Sequence, residues 1–461
     1  MKNRAAENDT ICAIATPPGV GGVGIVRISG QAAGQIAASL YRGTPSWDNL
    51  KSHTATFAEV VDPKNSTLID EALFLPMFAP HSYTGEDVVE IQAHGNPLIL
   101  KKILSAAILQ GARLASPGEF TRRAFMSGRI DLAQAEAVME LVAAKSDIQH
   151  QWALGQLKGQ LSAKISILKK KLLDVLAEIE ASIDFSEEEL PLNSREEIAS
   201  SIRDILSPMR ALLAGYEVGR QIREGFTVVI MGRANVGKSS LMNHFLQEDR
   251  AIVTPIAGTT RDLLQEPLDL AGLSIKLVDT AGYRESVHPV EQEGVARAER
   301  IQRQADLVLW ILDSSQALTE DDLYLAKMLQ GRPLIIVLNK RDLPSLIDEG
   351  VLRLKYPNTE FMYISIKSDM GLKSLSNCIK SRLIVSPEKE PPMLALLRHR
   401  NALVVAESAL SAALVSVQGG LSWEFPAIDL RDSLDALGEI VGETTVDTLL
   451  NEIFGQFCIG K

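Results

Sequence analysis

Cysteine is scarce in this chain. Its 461 residues hold only Cys12, Cys378 and Cys458. Three thiols cannot staple a chain of this size, so a disulfide scaffold is excluded and a reducing compartment, the cytoplasm, is expected. The opening Met1–Asn8 has no apolar stretch of the kind a secretory signal needs. No run approaches the ~18 consecutive apolar residues of a membrane span, so no membrane role is expected. A basic excess is missing too: 47 Lys and Arg stand against 58 Asp and Glu, a net charge of −11. That balance argues against a protein that coats nucleic acid non-specifically, which needs a basic footprint.

What is present is ordinary globular material, 46% hydrophobic and 23% charged, which excludes wholesale disorder. The length is too great for one core and suggests two to four domains. The charge divides unevenly. Residues 1–150 hold 13 bases and 15 acids, 151–220 hold 9 and 11, and 221–385 hold 20 and 21. The last 76 residues hold 5 and 11, a net of −6 and more than half of the total.

Residues 1–120 mix short strands, such as Ile25–Ile28 and Asp87–Ile91, with Pro and Gly turns. From Leu132 to Ile183 proline is absent and only Gly155 and Gly159 interrupt. There Leu157, Leu161, Ile165, Leu168, Leu172, Val175 and Ile179 recur at spacings of three and four, the stripe of an amphipathic helix. Ser194–Leu213 reads as another helix. From residue 225 strands alternate with helices: Phe226–Met231, Leu273–Val278, Leu307–Leu312, Leu334–Leu338 and Phe361–Ser365. This spacing predicts a parallel sheet with helices on both faces. Beyond Pro391-Pro392 the chain turns helical again, from Met393 to about Val417 and from Leu430 to about Phe454. The expected architecture is multidomain. An α+β head (1–120) leads to a discontinuous helical domain (121–220 and 386–461), into which an α/β P-loop module (221–385) is inserted.

Gly232-Arg233-Ala234-Asn235-Val236-Gly237-Lys238-Ser239 matches G-x-x-x-x-G-K-[ST], after a strand and before a helix. Its glycines let backbone N–H groups wrap phosphates, Lys238 reaches the β/γ oxygens, and Ser239 offers a hydroxyl to Mg²⁺. Asp279-Thr280-Ala281-Gly282 ends a second strand, where Asp279 reaches the metal shell and the Gly282 N–H reaches a γ-phosphate. Asn339-Lys340-Arg341-Asp342 ends a later strand, with Asp342 placed to accept two hydrogen bonds from guanine. Ser365 ends the last and backs the base. Between the first two lies Thr254-Pro255-Ile256-Ala257-Gly258-Thr259-Thr260, with Thr260 as the switch threonine whose hydroxyl reaches Mg²⁺ only when a γ-phosphate is present. Tyr283 stands where a Ras-like protein orients water with glutamine, so another group, such as Glu291 or a charge near the γ-phosphate, must do it. Arg233 and Arg284 are either solvated loop charges or aids to hydrolysis.

This module resembles the TrmE–Era–EngA–septin group of GTPases. Asp9-Thr10-Ile11, Ala15–Gly19, Gly21–Gly30, Thr84-Gly85-Glu86-Asp87 and the closing Phe457-Cys458-Ile459-Gly460-Lys461 narrow the resemblance to the tRNA-modification GTPases of the MnmE (TrmE) family, over essentially the whole chain. The resemblance implies a folate-binding head, a helical domain built from two segments, and a homodimer. It implies a heterotetramer with the FAD protein MnmG that adds an aminomethyl or carboxymethylaminomethyl group to the wobble uridine of certain tRNAs. The one-carbon donor would be 5,10-methylenetetrahydrofolate or 5-formyltetrahydrofolate. Hydrolysis of GTP would require Mg²⁺ and K⁺. Carried over by motif, Asn235, Thr254, Ile256 and Thr259 hold K⁺, Ser239 and Thr260 hold Mg²⁺, and Ser240 joins the GTP contacts. Glu291 orients the attacking water, although Val287-His288-Pro289 departs from the family's more acidic run. Arg27, Glu90, Arg129 and Lys461 hold the folate, and Cys458 is a candidate for chemistry beside it.

Three other features are set aside. Gly19–Gly24 fits G-x-G-x-x-G, but a strand follows where a dinucleotide site needs a helix. Cys458-Ile459-Gly460-Lys461 has prenylation spacing with unsuitable final residues. His94 reads as a turn histidine. The alternative function is an Era-like ribosome-assembly switch, which would need a basic RNA-binding module that the acidic C-terminal segment does not provide.

Overall fold

The computed structural model describes residues 9–184, 194–250, 268–279, 305–384 and 392–461. The chain divides into two compact units. One takes residues up to 139 with 156–202 and 408–461, and the other takes 140–155 with 203–407. The cuts fall inside the helices Leu132–Ala143, Asp147–Leu157, Arg195–Ala214 and Leu397–Gln418.

The first unit contains a seven-stranded sheet: β1 (Ile11–Ile14), β2 (Gly21–Ser29), β3 (Tyr41–Arg42), β4 (Thr56–Val61), β5 (Leu68–Met77), β6 (Val88–Gly95) and β7 (Arg113–Leu114). Their order is β3-β4-β5-β6-β2-β1-β7, antiparallel throughout except that β1 pairs with β7 in parallel. Side chains alternate across a strand, so Val26, Ile28, Val89 and Ile91 turn to one face. There they pack with Ile36, Leu40, Leu100 and Ile103 of the helices Ala33–Leu40 and Pro97–Leu109. The second of these helices is capped by Asn96, whose side chain accepts from Leu98 N at 2.8 Å, with Pro97 in the first turn. Gly24 permits the fit, since a Cβ there would come within 2.5 Å of Leu100 Cδ1. The glycine-rich run Gly19–Gly24 leads directly into β2, a strand, as its sequence implies.

In the same unit, helix Gln160–Asp184 buries Leu161, Ile165, Leu168, Leu172, Val175 and Ile179, the expected stripe except for Leu157, which ends the preceding helix. It packs along helix Glu424–Val441, with Arg431 on Glu180 at 2.6 Å and Lys169 on Glu443. The single helix expected from Leu430 to about Phe454 is two helices, Glu424–Val441 and Asp447–Gly455. Gly442 breaks it: φ is 90°, and a Cβ would lie 2.8 Å from both Leu132 Cβ and the Phe125 ring.

The second unit holds β8 (Phe226–Met231), β9 (Leu268–Leu270), β10 (Leu273–Asp279), β11 (Leu307–Asp313), β12 (Leu334–Asn339) and β13 (Glu360–Tyr363). The order is β13-β12-β11-β8-β10-β9, parallel except for the β9–β10 hairpin. Two cores cover its two faces. Val228 and Ile230 pack with Leu241, Phe245, Leu375 and Ile379 on one side, while Val229 and Met231 pack with Ala326, Leu329 and Leu352 on the other. The expected strand Phe361–Ser365 ends two residues early because Ser365 leaves the sheet and pairs with Met370 across a tight turn, at 3.0 and 3.1 Å.

Helix Asp147–Leu157 holds this sheet's flanks. Gln149 donates to Arg223 O at 3.0 Å, three residues before β8, and the Trp152 indole donates to Pro392 O, also at 3.0 Å. The backbone N–H of Ile148 reaches Gly272 O, in the β9–β10 turn, at 3.4 Å. Arg223 also pairs with Glu140 at 2.8 Å.

Helix Leu397–Gln418 averages a hydropathy of 1.4 over 18 residues, long and apolar enough to cross a membrane. A search for unbroken apolar runs passes over it because Arg398, Arg400, Glu407 and several serines interrupt. Leu403, Ala406, Leu410, Ala413 and Val417 are fully buried at spacings of three and four, which is the core stripe of a globular helix.

Candidate functional site

Two clusters gather the expected site residues, one in each unit. In the second unit the loop 232–237 joins β8 to helix Lys238–Arg250. Gly232 has φ 154° and a Cβ there would meet Ile311 O at 2.4 Å, while Gly237 has φ 107° and a Cβ would meet Asn339 Nδ2 at 2.3 Å. Both positions therefore exclude any side chain. Asn235 is itself left-handed, with φ 63°. Val236 is buried, which anchors the loop's middle, while Ser239 and Ser240 are exposed at the helix start. Lys238 is only 6% exposed and its ammonium donates to Arg233 O at 2.7 Å, inside the loop. A helix N-terminus with this backbone is built for an anion.

The base-side elements converge on the same end of the sheet. Asn339, 3% exposed, donates from Nδ2 to Val236 O at 2.8 Å and accepts from Ile366 N at 3.4 Å. One side chain thus ties the phosphate-side loop to the base-side loops. Ser365 Oγ donates to Asp342 Oδ1 at 2.7 Å, and Asp342 is exposed. Lys340 pairs with Asp313 at 2.7 Å. Burial pushes the Asp313 carboxyl up, but the bonds from Lys340 and Ser315 prevail and hold it below the usual carboxylate range. Arg233 turns to helix Glu320–Met328, donating to Gln316 at 2.6 Å and lying 3.5 Å from Asp322. Asp279 ends β10 in register with Ile230. Thr254, Pro255, Ile256, Ala257, Gly258, Thr259, Thr260, Thr280, Ala281, Gly282, Arg284 and Glu291 lie outside the described residues.

In the first unit Arg27 and Glu90 face each other across β2 and β6 and form an ion pair at 2.8 Å. Arg27 also donates to Gly460 O at 3.2 Å, which brings the C-terminal tail to the pair. Gly460 is wedged in place, for a Cβ would meet Ile14 O at 2.4 Å. The Arg27 guanidinium lies 5.6 Å from the ring centres of both Tyr83 and Phe120. Burial pushes the Tyr83 hydroxyl up, partly offset by its bond with Thr121 and the charges of Arg27 and Arg129. Burial pulls the Lys461 ammonium down, and Arg27 adds to the effect while Cys458 opposes it. The structure therefore brings Arg27, paired with Glu90, to the Gly460 carbonyl of the C-terminal tail beside the Tyr83 and Phe120 rings. Sequence reasoning missed Tyr83, although it directly precedes the quoted Thr84–Asp87 motif. It also missed Asp313, whose signal is a lone carboxylate closing an otherwise apolar strand. His94, expected in a turn, lies instead near the end of β6, where its Nδ1 bonds Asp70 at 2.9 Å.

A parallel sheet with a G-x-x-x-x-G-K-S loop after its central strand, and an Asn-Lys-x-Asp at the same end of the sheet, defines a P-loop GTPase. The model described as the MnmE helical domain matches residues 132–458, and that described as the GTP-binding protein TrmE N-terminus matches residues 10–129. Relatives extend over the full length. The tRNA modification GTPase MnmE of Syntrophotalea carbinolica is 44% identical over 459 residues, 98% of this chain and 99% of that one. Those of Thermoanaerobacter sp. and Enterococcus faecalis are 42% and 41% identical, covering 98% and 100% of this chain and 99% and 100% of theirs. The chain belongs to the MnmE family of tRNA modification GTPases.

Proposed function

We propose that this chain hydrolyses GTP and couples hydrolysis to modification of the wobble uridine of certain tRNAs in the cytoplasm. It would act as a homodimer and, with the FAD-containing MnmG, add an aminomethyl or carboxymethylaminomethyl group to the 5-position. The observation that carries the GTP half is the bond from Asn339 to Val236 O at 2.8 Å, which puts the phosphate-side and base-side elements on one sheet edge. Lys238 would meet the β/γ oxygens, Ser239 and Thr260 would hold Mg²⁺, and Asp342 would read guanine. Asn235, Thr254, Ile256 and Thr259 would hold K⁺ near the developing phosphate charge. Glu291 would orient water. These residues supply binding and orientation, and the two cations supply charge neutralisation.

For the folate half, the donor set fits. A carboxylate (Glu90) suits the amino-pyrimidine edge of a pterin, with Arg27 paired to that carboxylate and holding it at the pterin end, and Arg129 and Lys461 suit an anionic glutamate tail. Cys458 would stand beside the one-carbon unit. The proposed domain division is a head (1–120), helical parts (121–220 and 386–461) and the G domain (221–385).

Two measurements on the full-length protein test this. Asp342→Asn should move the preference from GTP toward XTP, because an amide cannot accept both guanine N–H bonds; unchanged selectivity would remove the guanine assignment. Calorimetry with 5-formyltetrahydrofolate should show binding that Arg27→Ala and Glu90→Ala each weaken at least tenfold. No binding to the unaltered protein would remove the folate reading.

A further inference from the structure

We propose that Asp313 is a positioning residue for nucleotide recognition, holding Lys340 in place as one wall of the base pocket without itself touching the nucleotide. The inference rests on the guanine reading of Asn339–Asp342. Lys340 adopts φ 63°, a left-handed backbone that a residue with a Cβ avoids unless its surroundings impose it. Here they do. Ser314 donates to Asn339 O from both its backbone N–H and its hydroxyl, at 2.9 and 2.8 Å. Asp313, 3% exposed, takes the Lys340 ammonium on Oδ2 at 2.7 Å. Its Oδ1 accepts from Ser315 N at 3.0 Å and from Ser315 Oγ at 2.7 Å. The carboxylate is therefore fixed at both oxygens before it meets the lysine. Residues 313–315 grip both the backbone and the side chain of the base loop.

A lysine stem carries four flexible carbons, and a ligand that packs on it must normally order it. Anchoring the ammonium on Asp313 orders the stem in advance. A buried ion pair kept only for stability would do nothing to ligand affinity, and that difference makes the assignment testable.

Full-length protein is titrated with GDP and with ADP, and GDP dissociation is timed. Asp313→Asn keeps the size and the Ser315 bonds but weakens the hold on Lys340. It should bind GDP about tenfold more weakly, the effect of losing one charge-assisted bond, with the loss in the dissociation rate. Lys340→Met should weaken GDP similarly, and adding Asp313→Asn to it should cost nothing further. Ser315→Ala, which frees one side of the carboxylate, should give a smaller loss in the same direction and serves if Asp313→Asn fails to fold. Unchanged GDP affinity in Asp313→Asn and Ser315→Ala, with only the melting temperature lowered, would overturn the inference, as would full additivity in the double variant. Failure of the unaltered protein to prefer GDP over ADP would instead overturn the guanine reading on which it stands.

Discussion

Gly237 is where the two halves of the nucleotide site meet. A methyl there would lie 2.3 Å from Asn339 Nδ2, on a backbone of φ 107°, so Gly237→Ala must push the base loop off Val236 O or distort the phosphate loop. We expect GTP affinity to fall at least tenfold, measured by titration with a fluorescent analogue. At the head, Arg123 meets Asp9 at 2.6 Å and Glu119 at 3.1 Å, and Arg113 meets Asp9 at 2.6 Å and Glu119 at 2.7 Å. Burial alone would raise both carboxyls, but the arginine bonds prevail and hold both below their usual range. A carboxyl depressed by folding adds stability that is full above its unfolded pKa, about 4, and is lost as pH falls through the lower folded value. Head unfolding should therefore steepen below about pH 4. Arg123→Met should be less stable at pH 7 and lose less between pH 4 and 2, as thermal melts across that range would show. The residues proposed to meet phosphate, metal and guanine stand out in sequence because each of these ligands demands one residue type at fixed spacing. Asp313 and Tyr83 do not, because they act through neighbours that only the fold brings near.

The five parallel strands of the nucleotide-binding sheet could be read to within two residues because parallel strands covered on both faces are unbroken apolar runs, whereas the three-residue antiparallel strand β9 was missed. The helices after residue 393 were harder. The Glu424–Val441 and Asp447–Gly455 helices share one apolar period, and the break between them depends on Leu132 and Phe125, about 300 residues earlier in the chain. No local signal records that contact. Gly442→Ala should accordingly destabilise far more than a helix-favouring change normally would, by about 2 kcal/mol or more, measured by chemical denaturation. The Asp147–Leu157 helix was likewise unremarkable in sequence, with its contacts made by Gln149 and Trp152 to backbone carbonyls. Trp152→Phe keeps the packing and drops one bond, leaving Pro392 O unsatisfied, and should cost about 1 to 2 kcal/mol in the same assay.

At the scale of the molecule, the net charge of −11 gains meaning from its distribution, since the acidity concentrates after residue 386. A tRNA enzyme so built needs positive surface from elsewhere, and the proposed FAD partner would supply it. The chain alone should bind tRNA only weakly at physiological salt, and adding the partner should tighten binding at least tenfold with a steeper salt dependence; tight binding by the chain alone, read by fluorescence anisotropy, would refute this. A last consequence lies in the connectivity. Arg223 O and Pro392 O, the way into and out of the nucleotide-binding sheet, are held by Gln149 and Trp152, three residues and about 4.5 Å apart along one helix. The intervening segment is thus a cassette whose two ends are held by the same helix. A bridge of a few glycines across those ends would close the remaining chain without stretching it, and the cassette could be exchanged for another domain with adjacent termini, leaving the rest of the polypeptide's path unchanged.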